Sequence, residues 1–178
     1  MKVAIITGHR WAGKTTLCST WRDNGAHWMC LDPVYNAVAA MSRSAGTPIM
    51  NADKNVVFDV FRSAFRIALP EKAPGRLVSD GMMYGDDPTI TLALASALLT
   101  YNRPLDLRFY KLVVTEDELE RRFRKVRASI IEREGQSGVE RHDLKEFMFR
   151  PPRHVGYFTP FSDGSVVHDF LFPAETNG

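Results

Sequence analysis

Short apolar runs alternate along the chain with longer segments in which apolar residues recur every three or four positions. The short runs are rich in β-branched residues and end at glycine, proline or acidic residues, so they are predicted to be buried strands. Five strands are predicted, at residues 2–6, 26–32, 76–81, 106–114 and 164–172. The helical spacing predicts helices at residues 14–22, 34–43, 55–69, 87–101 and 115–134, with a shorter one at 140–150.

The alternation of strands and helices predicts an α/β fold with a five-stranded, mostly parallel sheet flanked by helices. In such folds ligands bind at the carboxyl ends of the strands. A length of 178 residues suits one domain with a full hydrophobic core, so residues 1–178 are expected to form a single domain.

Composition and charge narrow the classes of protein to consider. The chain is 44% hydrophobic and 25% charged, which is ordinary for a globular protein, and its net charge is +2. Only a local basic patch would therefore support nucleic-acid binding. Cys18 and Cys30 lack CxxC-type spacing and are expected to be reduced thiols. With no signal peptide and no long apolar stretch, we expect a cytoplasmic protein without a membrane partner.

The most specific motif follows the first predicted strand. Residues 8–15, GHRWAGKT, match the pattern G-x-x-x-x-G-K-[ST] at every fixed position. Gly8 and Gly13 permit a loop whose N–H groups form an anion nest, Lys14 adds a positive charge, and the Thr15 hydroxyl is a ligand for Mg²⁺. The strand–loop–helix context predicts a P-loop (Walker A) site for ATP and Mg²⁺. Its nucleotide-binding residues are Gly8, His9, Arg10, Trp11, Ala12, Gly13, Lys14, Thr15 and Thr16.

With this early P-loop, a small size and an arginine-rich helix after the fourth strand, the chain resembles the P-loop kinases. That group includes nucleotide kinases, gluconate- and shikimate-type kinases, polynucleotide 5′-kinases, and bacteriophage kinases that phosphorylate hydroxymethyluracil in DNA. The resemblance implies a P-loop NTPase fold with a lid, here at about residues 121–150. It also implies an acidic residue near the acceptor hydroxyl, a place that Asp32 occupies, and lid arginines that contact the transferred phosphate, a place that residues 120–127 occupy.

Two aspartates follow predicted strands and are candidates for the site. Asp32 is interpreted as the catalytic base that accepts the proton of the acceptor hydroxyl, the alternative being a helix-capping residue. Asp80 is interpreted as a Mg²⁺-associated residue beside Thr15. For Asp80 the alternatives are a contact with the acceptor and a simple turn residue before Gly81.

A cluster of cations lies on the predicted helix at residues 115–134. It consists of Arg121, Arg122, Arg124, Lys125 and Arg127. A kinase needs cations that neutralise the charge developing on the transferred phosphoryl group, and arginine binds phosphate with two parallel hydrogen bonds. Arg124 and Arg127 are the first candidates and Arg121 is the next. The alternative is a solvated face whose cations pair with neighbouring glutamates.

A segment near the carboxyl end of the chain bears on the acceptor of the phosphoryl group. Residues 149–158 interleave basic and aromatic side chains, which favours a hydroxyl on a nucleotide or a nucleic acid. The forms considered are a hydroxymethylated base in DNA, such as 5-hydroxymethyluracil, and a polynucleotide 5′-hydroxyl. The alternatives are a small-metabolite or nucleoside-monophosphate kinase and, from another class, a nucleotide-binding switch, although no N-K-x-D guanine motif is present. The sequence leaves the oligomeric state open.

Overall fold

Strands and helices alternate through the residues that the computed structural model describes, which are 1–46, 48–84, 88–135 and 157–174. The strands are β1 (Lys2–Gly8), β2 (His27–Cys30), β3 (Arg76–Asp80), β4 (Asp106–Leu112) and β5 (Thr159–Phe161). The helices are α1 (Lys14–Asp23), α2 (Leu31–Ser44), α3 (Lys54–Ala68), α4 (Pro88–Leu99), α5 (Glu116–Glu134) and α6 (Ser165–Leu171). Single 3-10 turns lie at Ile49–Asn51 and Met82–Tyr84.

The five strands form one sheet in the order β2-β3-β1-β4-β5, and every neighbouring pair is parallel. The predicted α/β class and five-stranded sheet are thus confirmed, and the described sheet is entirely parallel. β1 lies between β3 and β4, so its carboxyl end lies in the middle of the sheet edge. A crevice opens at such a point because the flanking connections leave in opposite directions.

Helices cover both faces of the sheet because the side chains of β1 alternate between two apolar clusters. Val3 and Ile5 pack with the residues of α2, α3 and α4, whereas Ala4 and Ile6 pack with those of α1, α5 and α6. Burial on both faces explains why β1 is a continuous apolar run. Among the described residues, no helix is both long enough and apolar enough to cross a membrane.

The predicted fifth strand is wrong in position. Residues 164–172 were expected to be a strand, but Ser165–Leu171 is helix α6, and β5 is the short segment Thr159–Phe161. Val167, Phe170 and Leu171 are buried together on one side, the spacing of a helix and not of a strand. The Asp163 carboxylate accepts a hydrogen bond from the Ser165 amide and so favours the helix start.

The second predicted strand is too long at its carboxyl end. β2 ends at Cys30 and α2 begins at Leu31, so Asp32 lies in the first helical turn and not at a strand end. Leu31, the first residue of α2, packs closely on Gly81, where a Cβ would lie 2.6 Å from the Leu31 Cβ. The predicted helix at 140–150 and most of the basic and aromatic segment at 149–158 lie outside the described residues.

Candidate active site

The loop between β1 and α1 has a backbone that only particular residues adopt. Gly8 and Gly13 have φ angles of 146° and 95°, and Trp11 has a φ of 68°. A Cβ on Gly8 would lie 2.7 Å from the Leu112 carbonyl oxygen of β4, so a side chain there would push the strands apart. The loop therefore requires glycine at both fixed positions of its motif, as the sequence predicts for an anion nest.

Lys14 occupies the centre of this loop. Its side chain is buried, and the Nζ atom donates to the carbonyl oxygens of Gly8 and His9, both at 2.8 Å. Burial lowers the Lys14 pKa below its ordinary value, while the nearby Asp80 and Asp32 carboxylates oppose that shift. The ammonium group is thus fixed among the loop's backbone groups, where an anionic ligand of the nest would meet it.

Asp80 and Thr15 meet where β3 and α1 converge. The Thr15 hydroxyl donates to Asp80 Oδ2 at 3.4 Å, and the Trp28 indole N–H donates to Asp80 Oδ1 at 2.8 Å. Asp80 is 2% exposed, and burial raises its pKa, against the effects of the Trp28 hydrogen bond and the Lys14 charge. A hydroxyl and a carboxylate side by side suit the preference of Mg²⁺ for oxygen ligands. The magnesium role of Asp80 stays a prediction.

Asp32 lines the same cleft from the other side of the loop. It is exposed in the first turn of α2, whose N-terminus starts directly after β2. The carboxylate is close enough to Lys14 and Asp80 to influence the pKa of each. The structure therefore brings Asp32 to the phosphate-binding loop even though it lies on a helix instead of a strand end.

Arg122 is the cleft residue that the sequence candidates omitted. Its Nη1 atom donates to the Ala12 carbonyl at 2.5 Å and more weakly to the Trp11 carbonyl at 3.4 Å, and its Nε donates to Glu118 at 2.7 Å. The Trp11 ring also contacts Phe123, with centroids 5.7 Å apart. These contacts attach α5 directly to the phosphate-binding loop.

Helical phase was the signal that could have found Arg122. Leu119 and Phe123 are buried apolar positions of α5, and Arg122, three residues after Leu119, shares their side of the helix. Arg122 and Val126 both line the cleft, one turn apart.

The three arginines chosen from the sequence lie outside the cleft lining. Arg121 pairs with Glu118 and Arg124 pairs with Glu120, each at 2.5 Å, and both arginines are exposed. Arg127 is exposed as well. Their contact with a transferred phosphate remains a prediction.

The cleft as a whole has a volume of about 630 Å³, a size typical of sites for small molecules. The charged groups just described line it together with Arg10 and Thr16 of the loop. Apolar side chains line it as well, those of Leu17, Leu112, Val114 and Val126. The lining thus combines charged and apolar groups, as a site for a nucleoside triphosphate requires.

Comparisons with known proteins give resemblances in fold. No protein-family model matches the chain, and no curated protein sequence matches it. Among solved structures, the chain is similar to a gluconokinase from Sinorhizobium meliloti 1021, at 13% identity and a TM-score of 0.48, over 96% of this chain and 89% of that one. It is also similar to Chaetomium thermophilum Kti12 in complex with ADP-AlF3, at 14% identity and a TM-score of 0.49, over 95% of each chain.

A third similar structure is the shikimate kinase of Aquifex aeolicus, at 13% identity and a TM-score of 0.39, over 91% of this chain and 85% of that one. The motif, the parallel sheet and its strand order give this chain the P-loop NTPase fold. The function proposed below rests on the side chains of the cleft and not on these resemblances.

Proposed function

We propose that the protein is an ATP-dependent kinase that transfers the γ-phosphoryl group to a hydroxyl acceptor. One observation carries the proposal: the phosphate-binding loop, the Thr15–Asp80 oxygen pair and the Asp32 carboxylate line a single cleft. The loop and the oxygen pair bind a nucleoside triphosphate, and Asp32 is a separate, solvent-facing carboxylate beside it. A nucleotide-binding switch needs the loop and the oxygen pair but has no need of Asp32.

The binding roles follow from the geometry. The N–H groups of the loop and the Lys14 ammonium bind the phosphate chain, with the N-terminus of α1 directed at it. Thr15 and Asp80 are the residues that would hold Mg²⁺, whose charge, when bound, helps neutralise that of the phosphates. Arg122, already fixed at the loop, adds positive charge beside it.

Asp32 is the proposed base in the transfer. The acceptor oxygen forms a bond to the γ-phosphorus while the bond from that phosphorus to the β–γ bridging oxygen breaks, and ADP leaves. The acceptor's proton passes to the Asp32 carboxylate, which is exposed and so open to an incoming acceptor. The lid at about residues 121–150 would close over the transferred group, with Arg124, Arg127 and Arg121 as its candidate phosphate contacts.

The proposed acceptor is a hydroxyl on a nucleotide or a nucleic acid. The outer face of α5 supports it, because a surface groove there is lined by three cations, Arg121, Arg124 and Lys125, against two carboxylates, Asp117 and Glu120. The two forms to test first are a hydroxymethylated base in DNA, such as 5-hydroxymethyluracil, and a polynucleotide 5′-hydroxyl. A small metabolite or a nucleoside monophosphate is the alternative acceptor.

The test is transfer of label from γ-³²P-ATP to a panel of DNA, hydroxymethylated DNA, RNA, nucleotides and sugars. We expect ADP release that depends on one class of acceptor and label on that acceptor. The variant Lys14→Ala should abolish transfer while the thermal melt stays cooperative, whereas Lys72→Ala, in an exposed loop, should retain it. Nucleotide hydrolysis that no acceptor stimulates would overturn the kinase proposal in favour of a switch.

A further inference from the structure

Trp28 makes a contact that the binding roles above do not explain. It lies on β2, the strand at one edge of the sheet, and pairs in register with Val78 of β3. Side chains of paired residues lie on the same face, and positions two apart on a strand share that face. The Trp28 ring therefore lies diagonally beside Asp80, within reach for a long aromatic side chain.

The contact itself is a hydrogen bond to a buried charge. The indole N–H of Trp28 donates to Asp80 Oδ1 at 2.8 Å, and the Thr15 hydroxyl donates to the other oxygen, Oδ2, at 3.4 Å. The Cys30 side chain, on the β2 residue that pairs with Asp80, interacts with the same carboxylate. A carboxylate can rotate about its terminal bond over a broad range, so an acceptor bond on one oxygen fixes the direction of the other.

The ring of Trp28 is contacted by an apolar cluster and by a cation. It packs against the cluster that contains Ala4, Ile6 and Val78, and the Arg22 guanidinium lies 5.6 Å from the ring centre. An indole has one N–H and no acceptor, so the bond to Asp80 uses its whole hydrogen-bonding capacity. The edge strand thus presents a packed donor to the carboxylate.

We propose that Trp28 is a positioning residue for the magnesium site, holding Asp80 so that Oδ2 remains directed at the Thr15 hydroxyl. The inference rests on the proposed function, in which Thr15 and Asp80 hold the Mg²⁺ of bound ATP. Trp28 does not touch substrate or metal in this arrangement. It acts through Asp80, so its loss changes the magnesium-dependent part of nucleotide binding and not the part that the loop provides.

The first test needs neither nucleotide nor metal. The three tryptophans give three indole N–H resonances in a ¹H–¹⁵N spectrum, which Trp11→Phe and Trp21→Phe assign by elimination. Replacing Asp80 with Asn should move the Trp28 resonance markedly upfield, because the donor loses a charged acceptor. A Trp28 resonance that stays in place in the folded Asp80→Asn variant would overturn the inference.

The second test measures ATP affinity by calorimetry, with magnesium and with EDTA. In Trp28→Phe the gain in affinity from magnesium should fall about tenfold, the usual size of a lost hydrogen bond to a charged group, and the affinity in EDTA should be retained. Trp21→Phe is the matched control, since Trp21 is buried in the same apolar cluster and should preserve both affinities. An unchanged magnesium gain in folded Trp28→Phe would also overturn the inference.

The two tests separate the inference from the proposed function. A smaller magnesium gain in a protein that phosphorylates no acceptor would support the role of Trp28 and reject the kinase. Acceptor phosphorylation with an intact magnesium gain in Trp28→Phe would do the reverse. If Trp28→Phe does not give a cooperative thermal melt, the indole resonance in wild type and Asp80→Asn decides the matter.

Discussion

Lys14 and Asp80 are oppositely charged, buried side chains that interact in the cleft. Burial shifts each pKa toward the neutral form, downward for Lys14 and upward for Asp80, and each charge opposes the shift of the other. Removing one member leaves the other as an uncompensated buried charge. The pair is thus adapted to a ligand that brings both a phosphate and a cation, since each then gains a second partner.

One substitution separates the role of Asp32 from that of Asp80. Asp32→Asn keeps the size of the side chain but removes the basic group, so turnover should fall about 10²-fold or more while ATP affinity is retained. Turnover and ATP affinity are measured on the same preparation. Asp23→Asn, at an exposed position at the end of α1, is the matched control and should behave as wild type.

A different result for Asp32→Asn would reassign the residue. If ATP affinity collapses and turnover per bound ATP does not, Asp32 contacts the nucleotide or its magnesium. In that case the proton acceptor has to be sought elsewhere in the cleft.

At the scale of the element, the sequence predicts what local periodicity encodes. Helix α3 was predicted at residues 55–69 and observed at Lys54–Ala68, because Val57, Phe61 and Phe65 repeat at helical spacing. The loop motif is predictable for a similar reason, since its residues are contiguous. The sequence cannot show that α6 outcompetes a strand, because Val166 and Val167 favour strands locally and the deciding contacts come from distant residues of the core.

Arg122 shows the same limit within the site. Helical phase groups Arg122 with the apolar positions Leu119 and Phe123, but its reach to the loop carbonyls depends on how the helix lies against the sheet. Glu118 accepts hydrogen bonds from both Arg121 and Arg122, so the loop carbonyls distinguish the two: of this pair, Arg122 is the one that donates to them.

Substitution of Arg122 should act on nucleotide binding. Its guanidinium fixes the Ala12 carbonyl beside Trp11, whose left-handed backbone is strained without support. In Arg122→Ala we therefore expect ATP affinity to fall about tenfold. Arg124→Ala is the matched control on the same helix and should keep the wild-type ATP affinity, because Arg124 lies outside the cleft lining and its exposed pair with Glu120 contributes only about 0–1 kcal/mol.

The two outcomes for these arginines discriminate between the loop and the lid. Equal ATP affinities in Arg122→Ala and wild type would contradict the role of Arg122 at the loop. A large loss of turnover in Arg124→Ala, with ATP affinity retained, would support the contact with the transferred phosphate that the sequence predicts.

Helix α6 is held by cations at the amino ends of the strands, away from the cleft at their carboxyl ends. Arg76 Nε donates to the Leu171 carbonyl at 2.7 Å and Lys2 Nζ donates to the Phe170 carbonyl at 2.8 Å, so both neutralise the negative end of the helix. Arg76→Ala should lower the free energy of unfolding in urea by about 1 kcal/mol. Arg103→Ala, in an exposed loop, should change it by less than about 0.5 kcal/mol, and an equal effect of the two would contradict this role of Arg76.

In the molecule as a whole, the contacts that hold α6 and the residues of the cleft lie at opposite ends of the strands. The amino ends of β1 and β3 carry the cations that hold α6. The carboxyl ends of β1, β3 and β2 carry the loop, Asp80 and the start of α2 in turn. A substitution that loosens α6 is therefore expected to change stability more than phosphoryl transfer. The separation follows from a parallel sheet, in which every strand ends at the same edge.

Recognition of a nucleic-acid acceptor would involve cations spread over the surface, so the dependence of acceptor affinity on salt concentration tests it. The net charge of +2 is small, so binding of a nucleic acid would depend on local cations, those at 121–127 and those at Arg150 and Arg153, the last two of which lie outside the described residues. Each backbone phosphate that such a cation neutralises releases counterions, giving a log–log slope of affinity against salt of about −0.7 to −0.9 per contact.

In the experiment, ATP is held at saturation and the acceptor alone is titrated. Arg150→Ala and Arg153→Ala should each flatten the slope by up to about one unit, and Arg103→Ala should leave it unchanged. Phosphorylation of a lone nucleoside or sugar as efficient as that of an oligonucleotide, with a flat salt response, would exclude the nucleic-acid acceptor and leave a small-metabolite kinase.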